Sequence, residues 1–528
     1  MASRSVIVWT TIAVIVIAII AGVLIASHRG GAPQTTTATT STPTPTPTQP
    51  ATTTSPAAPP ATTTSSPTTT PKTTTTTTPQ TTTTTKQACK TWITLKVLTR
   101  HPADIQKKAR DMFLKSDLAK KYCIKDVRFL ALPAGFWPEA IKRQSIDVAW
   151  SGGPTLFDTL FMDGLLRPLQ TKLALDAAAQ VPDTIGGTMP LKRIKDGKIY
   201  WVSAAIASFG FTVNKDVAKK LGFDLSKLKT WRDLASDDLG LILVKTGQPA
   251  LAIANPLQST SNTRMYEIIL QAYGWEEGWK VLTLMAANAK VEPGSAIVRD
   301  DVINGIVMVG ITIDFYGYTA HLLNPACYYV MPQGETIVNG DPIAVTISTK
   351  HPEAAEAFVA WVLTQGQVIW LDPSINRLPA NPKVFETPEG KKRPDLKQAY
   401  EQALHAKAMN FNDTLALMTE YPMQLYFVAT LVDMHDLLQQ AWVELLKAYY
   451  IDHSIDKATF EKLKAKLTDL VEFKDPVTGK MTKFTLQEAI RINEELKKNM
   501  NLKEAYMNAW REAARQKYLE VLKALGKG

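Results

Sequence analysis

The feature that most limits this chain is a tract that cannot build a core. Residues 32–86 are almost entirely Thr, Pro, Ser and Ala, as in TTTSPAAPPATTTSSPTTTPKTTTTTT. With hardly any apolar bulk, such a stretch cannot offset the entropy of ordering its backbone. Proline stiffens it, and the density of Thr and Ser is that of an O-glycosylated stalk; a plain disordered linker is the simpler alternative. At ~3 Å per residue it can reach on the order of 100 Å or more. It divides the chain into a short N-terminal segment and a long globular remainder.

The N-terminal segment is SVIVWTTIAVIVIAIIAGVLIAS, residues 5–27, an almost unbroken apolar run long enough to cross a bilayer as a helix. Arg4 precedes it, and His28 and Arg29 follow it. A cleaved signal peptide has a shorter apolar core, so the run reads as an uncleaved anchor, although Ala26-Ser27 leaves cleavage open. No cysteine follows the run, which excludes a lipoprotein anchor. An anchor plus a mucin-like spacer places the globular part outside the cell, held at the membrane.

Composition removes several functions. The 528 residues carry a net charge of +10, but Lys and Arg are scattered beside Glu and Asp and no basic stripe interleaves with aromatics. That pattern is a solvated surface, and nucleic acid is not expected as a partner. Three cysteines form neither a CxxC nor a zinc spacing. There is no Walker A loop and no dinucleotide glycine motif. No cofactor is expected.

The globular chain opens as alternating strands and helices. Residues 91–99 (TWITLKVLT) read as a strand, 103–116 as a helix, 127–132 as a strand and 137–143 as a short helix. Next comes the stretch that organises the rest, residues 146–169, IDVAWSGGPTLFDTLFMDGLLRPL. A strand turns through Ser151-Gly152-Gly153-Pro154-Thr155 into a helix. Such a turn aims backbone N–H groups and hydroxyls into the crevice beyond the strand; a tight turn needing glycine for backbone reasons only is the bland alternative. This βαβαβα order implies a parallel sheet covered by helices. Cys89 and Cys123 each sit just before a strand; if those strands are parallel neighbours, both lie at one sheet edge and a disulfide is expected there, with two unpaired thiols as the alternative. Cys327, in an apolar setting, is expected to be a buried free thiol.

Further on, residues 199–213 form a long apolar strand. Residues 251–254 lead into Ser259-Thr260-Ser261-Asn262 and a helix over 263–273, a second strand–polar turn–helix start. One N-cap needs one such residue, and four in a row exceed that. A third candidate is ITIDFYGY, an apolar strand ending in Asp314, Phe315, Tyr316 and Tyr318. From about residue 395 the chain is helical throughout. Its first part, to about residue 451, is expected to pack on the second half of the fold, and the remainder reads as an added segment of open placement. Tyr426 and His435 there read as core and surface residues.

Taken in order, these segments resemble the extracellular solute-binding proteins of ABC importers, in a membrane-tethered, archaeal-like form of the branch related to iron(III), thiamine and polyamine binders. LTRH ends the first strand. The stretch from 146 to 169 resembles the family's D-V…L-x-x-x-G-L-L-x-P segment. FTVNKDVAKKLGFDLSKLKTWRDLASDDL resembles its Y-N-K-D…T-W-x-D-L segment, and YGWEEGWKVLTLMAANAKVEPGSAIVRDDVINGIVMVGITIDFYGY its G-W…G-E segment before the hinge. HPEAAEAFVAWVLTQGQVIWL is similar to its A-x-x-F…G-Q helix.

The resemblance implies an α/β, two-lobed periplasmic-binding-protein-like (type II) fold with a hinge and an extended α-helical C-terminal region. The expected divisions are an anchor at 1–29, a stalk at 30–88, lobe one at 89–205 with a return at 330–385, lobe two at 206–325, and a helical region at 386–528. It implies that His101, Ser151, Gly152, Gly153 and Thr155 face a cleft from lobe one, and Ser259, Thr260, Ser261, Asp314 and Tyr316 from lobe two. Iron binders of the family have two adjacent tyrosines where this chain has Phe315-Tyr316, and an acidic ligand where it has Gly152. A ferric site wants several hard anionic oxygens. A phosphorylated or carboxylated organic solute is therefore expected, with Trp137, Trp150 or Trp201 available to stack on it; iron is the alternative. The implied partners are a permease and an ATPase. No serine-nucleophile elbow or HExxH motif supports an enzyme.

Overall fold

The computed structural model describes residues 89–527, except 133 and 187–188. The expected anchor and stalk lie outside the described residues. Among the described residues, no helix is long and apolar enough to cross a membrane.

Lobe one begins with strand β1 (Ile93–Thr99), helix α1 (Ala103–Lys115), strand β2 (Ile124–Ala131), helix α2 (Trp137–Arg143), strand β3 (Val148–Trp150) and helix α3 (Gly153–Met162). β1 pairs in parallel with both β2 and β3. The pairing puts Cys89 and Cys123 at one sheet edge, where they form a disulfide with 5.6 Å between Cα atoms. Its 34-residue span is worth roughly 3–4 kcal/mol on the loop-entropy argument.

Strand β4 (Lys198–Asn214) then leaves lobe one and enters lobe two. Almost every residue along it is buried, so both faces are covered and no polar alternation marks where the lobes change. Core membership does mark it: Ile206 packs in lobe one and Ala207 in lobe two. Lobe two adds strand β5 (Leu251–Ala254), helices α4 (Thr260–Tyr273) and α5 (Trp275–Asn288), strand β6 (Ala289–Glu292), helix α6 (Ser295–Ile303), strand β7 (Val309–Ile313), helix α7 (Asp314–Leu323) and strand β8 (Cys327–Val330). β5 runs parallel to β6 and β7, so their carboxyl ends share one edge. The chain returns as strand β9 (Val338–Thr346), antiparallel to β4 through pairs such as Val338–Ser208 and Asp341–Ala205. The continuous strand order is β6-β5-β7-β4-β9-β3-β1-β2, so β4 belongs to the sheets of both lobes. Helix α8 (Pro352–Leu363) and the short strand β10 (Leu378–Pro379), paired to β4, complete lobe one's frame.

The C-terminal region differs from expectation. Helix α9 (Pro394–Leu404) packs in the core of lobe one, through Leu396, Ala399, Tyr400 and Ala403. The chain then crosses a third time. Helices α10 (Asp413–Phe427), α11 (His435–Leu446), α12 (Lys457–Thr468), α13 (Leu486–Lys498) and α14 (Leu502–Ala524) all join lobe two. They are not an appendage. Trp279 of α5 packs edge-on against Tyr426 of α10, Tyr426 stacks on Phe484, and Phe484 meets Trp510 of α14. All four rings are buried. The 3.6-residue pattern announced helices, but the aromatic partners that place them are distant in sequence. Cys327 is a buried free thiol.

Trp510→Ala removes the ring that ties α14 to this cluster, and is expected to cost about 3–5 kcal/mol in chemical denaturation of the whole protein. A loss below about 1 kcal/mol would mean that the last helices fold as a separate unit.

Candidate functional site

The carboxyl ends of β1 and β3 in lobe one point toward lobe two, and the carboxyl ends of β5, β6 and β7 point back. The lobes meet there. Arg264 of α4 donates from Nη2 to Thr155 Oγ1 of α3 at 3.1 Å, and Thr155 also bonds to Asp413 at the start of α10. Arg264 is held by Glu267, with Nη1 3.1 Å from Oε2, and its guanidinium lies over Phe411.

On lobe one, the glycine turn has an occupant of its own. Ser151, Gly152 and Gly153 all have positive φ, at 74°, 124° and 81°, a backbone path that only glycine takes without strain. A Cβ on Gly152 would fall 2.8 Å from Leu156 Cδ2. This path turns the Gly152 N–H toward the Asp341 carboxylate at 2.9 Å, and Ser151 Oγ donates to the same carboxylate at 3.1 Å. Arg377 Nη1 donates to it at 3.0 Å, and His101 Nε2 lies 4.0 Å away. The turn does accept an anion, but Asp341 supplies it. Burial alone would raise Asp341; the Arg377 guanidinium and the Gly152 N–H hold it below the usual carboxylate range.

Several expected ligands are corrected by their surroundings. His101 is buried behind the cleft wall, edge-on to Trp150, and neither ring nitrogen has a hydrogen-bond partner among the described residues. Burial pushes its imidazole down to about 3, with Asp341 opposing and Arg377 assisting. It is a neutral wall residue. Trp137, Trp150 and Trp201 have no exposed surface, so none can stack on a solute. Asp314 does not end a strand: β7 stops at Ile313 and residues 314–323 are helix α7. Its carboxylate accepts from the backbone N–H of Ser208 at 2.8 Å and of Phe315 at 2.7 Å, entirely inside the protein. Burial pushes Asp314 up to about 7 in spite of those bonds and of Arg377.

The lobe-two turn is built from hydroxyls and not around a carboxylate. Ser259 caps α4 by accepting from the Asn262 N–H at 3.2 Å, and Asn262 Oδ1 in turn holds the Ala254 N–H at 2.9 Å. Those two residues are partly scaffold. Ser261 Oγ lies 2.7 Å from Ser295 Oγ, which also bonds to Ser259. Ser295 opens α6, so two helix N-termini converge on three hydroxyls, with Thr260 exposed beside them. Gly153 and Thr155 begin the facing helix α3. Tyr316 is half-buried with the Arg299 guanidinium 4.9 Å over its ring. Burial raises the phenol and Arg299 opposes.

Sequence reasoning missed Asp341, Arg377, Arg264, Arg299 and Ser295. Ser295 had a local signal, since Pro293-Gly294-Ser295 repeats the strand–turn–helix start after β6. The others had none, because each gains its role from a partner in another segment. Among the described residues, no group of three or more His, Cys, Asp or Glu could hold a metal ion.

This geometry can be set beside known proteins. The sequence profile of a family described as bacterial extracellular solute-binding protein matches residues 139–398. Over that span the chain is similar to extracellular solute-binding proteins. The phosphoglycerate transport regulatory protein PgtC of Salmonella typhimurium is 26% identical over 189 residues, 35% of this chain and 45% of that protein. The chain thus spans under half the length of this curated relative. Among solved structures, the periplasmic binding protein AfuA from Actinobacillus pleuropneumoniae, with fructose-6-phosphate bound, superposes with a TM-score of 0.44 at 15% identity, covering 59% of this chain and 98% of its own. Iron-bound HitA from Pseudomonas aeruginosa gives 0.44 at 18% identity, covering 58% and 99%.

Glu267 and His101 give the pH dependence of stability opposite slopes. Burial pushes Glu267 up to about 8, with Arg264 opposing and Glu420 and Asp413 adding to the rise. Folded protein therefore holds that proton more tightly than unfolded chain. This contribution is full below the ordinary value of 4.5 and is lost as pH rises through about 8. His101, held at about 3 against an ordinary 6.5, works only below 6.5, where falling pH destabilises. Glu267→Gln removes the first contribution, so between pH ~5 and ~8 the melting temperature of the variant is expected to fall less, or rise more, than that of the parent. An unchanged slope in the variant would show that Glu267 is ionised in the folded protein.

Proposed function

We propose that this chain is the substrate-binding receptor of an ABC importer, capturing a small phosphorylated or carboxylated organic solute between its lobes. In this reading the apolar run of residues 5–27 tethers it to the cell surface through the Thr/Pro stalk, and a permease with its ATPase receives the solute. The observation that carries the reading is the convergence of the α4 and α6 N-termini on the hydroxyls of Ser259, Ser261 and Ser295. Helix N-termini carry partial positive charge and free N–H groups, and hydroxyls rotate to donate to an anion. Arg264 and Arg299 lie one turn further along the same two helices. Lobe one offers less, because Asp341 already uses the Gly152 N–H.

The solute's anionic end accordingly docks on lobe two. Lobe one closes over the rest of the molecule with Gly153, Thr155 and the surface around Arg377. The similarity to a phosphoglycerate transport regulatory protein supports a phosphorylated carboxylate as first probe. A ferric site is disfavoured by donor chemistry: Tyr316 stands beside Phe315, and His101 is sealed behind the wall.

Calorimetry of the purified protein tests this with 3-phosphoglycerate, phosphorylated sugars and ferric citrate. Saturable binding of a phosphorylated compound without turnover is expected. Replacing Ser261 and Ser295 by Ala together is expected to weaken it roughly tenfold or more, the loss of one or two charge-assisted hydrogen bonds. Micromolar iron binding with a tyrosinate absorption band would overturn the proposal, as would hydrolysis of the phosphorylated compound.

A further inference from the structure

The strands that join the lobes have two faces, because side chains alternate along a strand. Ala207, Asn339 and Asp341, with Arg377 just before β10, lie on the face toward the cleft. Ile206, Ser208 and Val338 lie on the reverse face. Asp314 belongs there too, since it bonds to both the N–H and the hydroxyl of Ser208.

A cavity of about 250 Å³ opens on that reverse face. Lobe one supplies Gln402 and Ala403 of α9; Tyr318 of α7 and Tyr329 of β8 come from lobe two, and Tyr318, with Met331 just past β8, reaches across to pack against the core of lobe one. The two tyrosine rings meet edge to face, with centroids 5.7 Å apart. Ser208 Oγ lies 3.3 Å from Tyr329 Oη and 3.2 Å from Asp314 Oδ2, so the Asp314 carboxylate sits one hydrogen bond behind the wall. The lining contains no Lys or Arg, and its basic side chain is the imidazole of His405, just past the end of α9. Arg377 reaches toward Asp314 only from the cleft side, and its ion pair is with Asp341. Asp314 makes no ion pair among the described residues. Burial, opposed first by the Ser208 N–H, leaves its carboxyl at about 7. Asp314 is thus partly ionised at neutral pH, with Arg377 on the cleft side as the opposite charge that acts on it; behind two aromatic rings and a thioether, its carboxylate form attracts a soft cation, and a bound cation favours that form.

We propose that this hinge cavity binds a small organic ammonium, seated against the rings of Tyr318 and Tyr329 in the field of the Asp314 carboxylate. The site lies on the opposite face of the strand pair from the solute cleft, and it stands whatever the cleft takes. Its walls come from both lobes, so the affinity of a bound cation depends on the angle between them. By linkage, a cation that fits the arrangement with Thr155 against Arg264 favours that arrangement, and cleft and cavity become thermodynamically coupled.

Choline chloride titrated into the full-length protein by calorimetry tests the site, with sodium chloride and the uncharged isostere 3,3-dimethyl-1-butanol as controls. Saturable one-to-one binding of choline is expected, with the isostere at least tenfold weaker. Tyr329→Leu, which removes a π face, is expected to weaken choline roughly tenfold, the size of one desolvated cation–π contact. Tyr329→Phe, which keeps the face, is expected to stay within about threefold. Gln402 is exposed, so Gln402→Lys adds a charge at the mouth without touching the core and is expected to weaken choline several-fold, even where Tyr329→Leu fails to fold. No saturable heat up to about 50 mM choline, equal binding of the isostere, or unchanged affinity in Gln402→Lys would each overturn the proposal. None of these results depends on the solute of the cleft.

Discussion

The Asp341–Arg377 pair is the interaction on which the cleft wall depends. Both residues are buried, and a buried ion pair gains little over an apolar substitute but costs roughly 3–5 kcal/mol when one partner is removed. Its value here is positional. Asp341 comes from the return strand β9, Arg377 from the segment before β10, and the Ser151-Gly152 turn from the end of β3. One carboxylate therefore fixes three separate stretches of chain at the boundary between the lobes. It also commits the glycine turn of lobe one: the N–H and hydroxyl that the turn presents are already bonded to a fixed negative charge, while burial keeps His101 behind it neutral against the pull of that charge.

The two lobes use the same local device to different ends. Each places a strand, a small-residue turn and a helix N-terminus at the shared boundary. In lobe one the device is internally satisfied. In lobe two it is doubled, by α4 and α6, and its hydroxyls bond mainly to one another. Hydroxyls paired with hydroxyls can exchange partners at small cost, whereas the Asp341 carboxylate cannot leave without stranding Arg377. In the proposed function, that asymmetry is a physical reason for one lobe to bind first and the other to close.

Much of the fold could be read from residues 93–162 alone, where short apolar strands, helical spacing and paired glycines are all local signals. The long strand β4 was also visible as an apolar run, although nothing in it showed that it serves both lobes. The sites were less legible. Asp314 looked like a strand end because ITID is apolar and short, yet the helix begins at that very residue and turns the carboxylate inward. His101 and three tryptophans were chemically apt but sealed in the core. Asp341 carried no signal at all: NGDPIAV reads as a turn or a strand, and only the β9–β4 register puts the carboxylate against a glycine turn nearly two hundred positions earlier. Residue types that bind well are visible in sequence; their exposure is set by contacts between segments that sequence does not join.

The path of the chain has a consequence for how this protein comes into being. Lobe one has its whole core once residue 406 has been made. Lobe two is begun earlier than lobe one is finished, yet Trp279 and Phe427 stay uncovered until Phe484, Trp510 and Leu522 arrive. During synthesis the half-built second lobe must therefore hold a large oily surface open beside a finished neighbour. A premature stop anywhere in the last hundred residues leaves a sound first lobe carrying a sticky fragment, so the final helix acts as the quality seal of the whole fold.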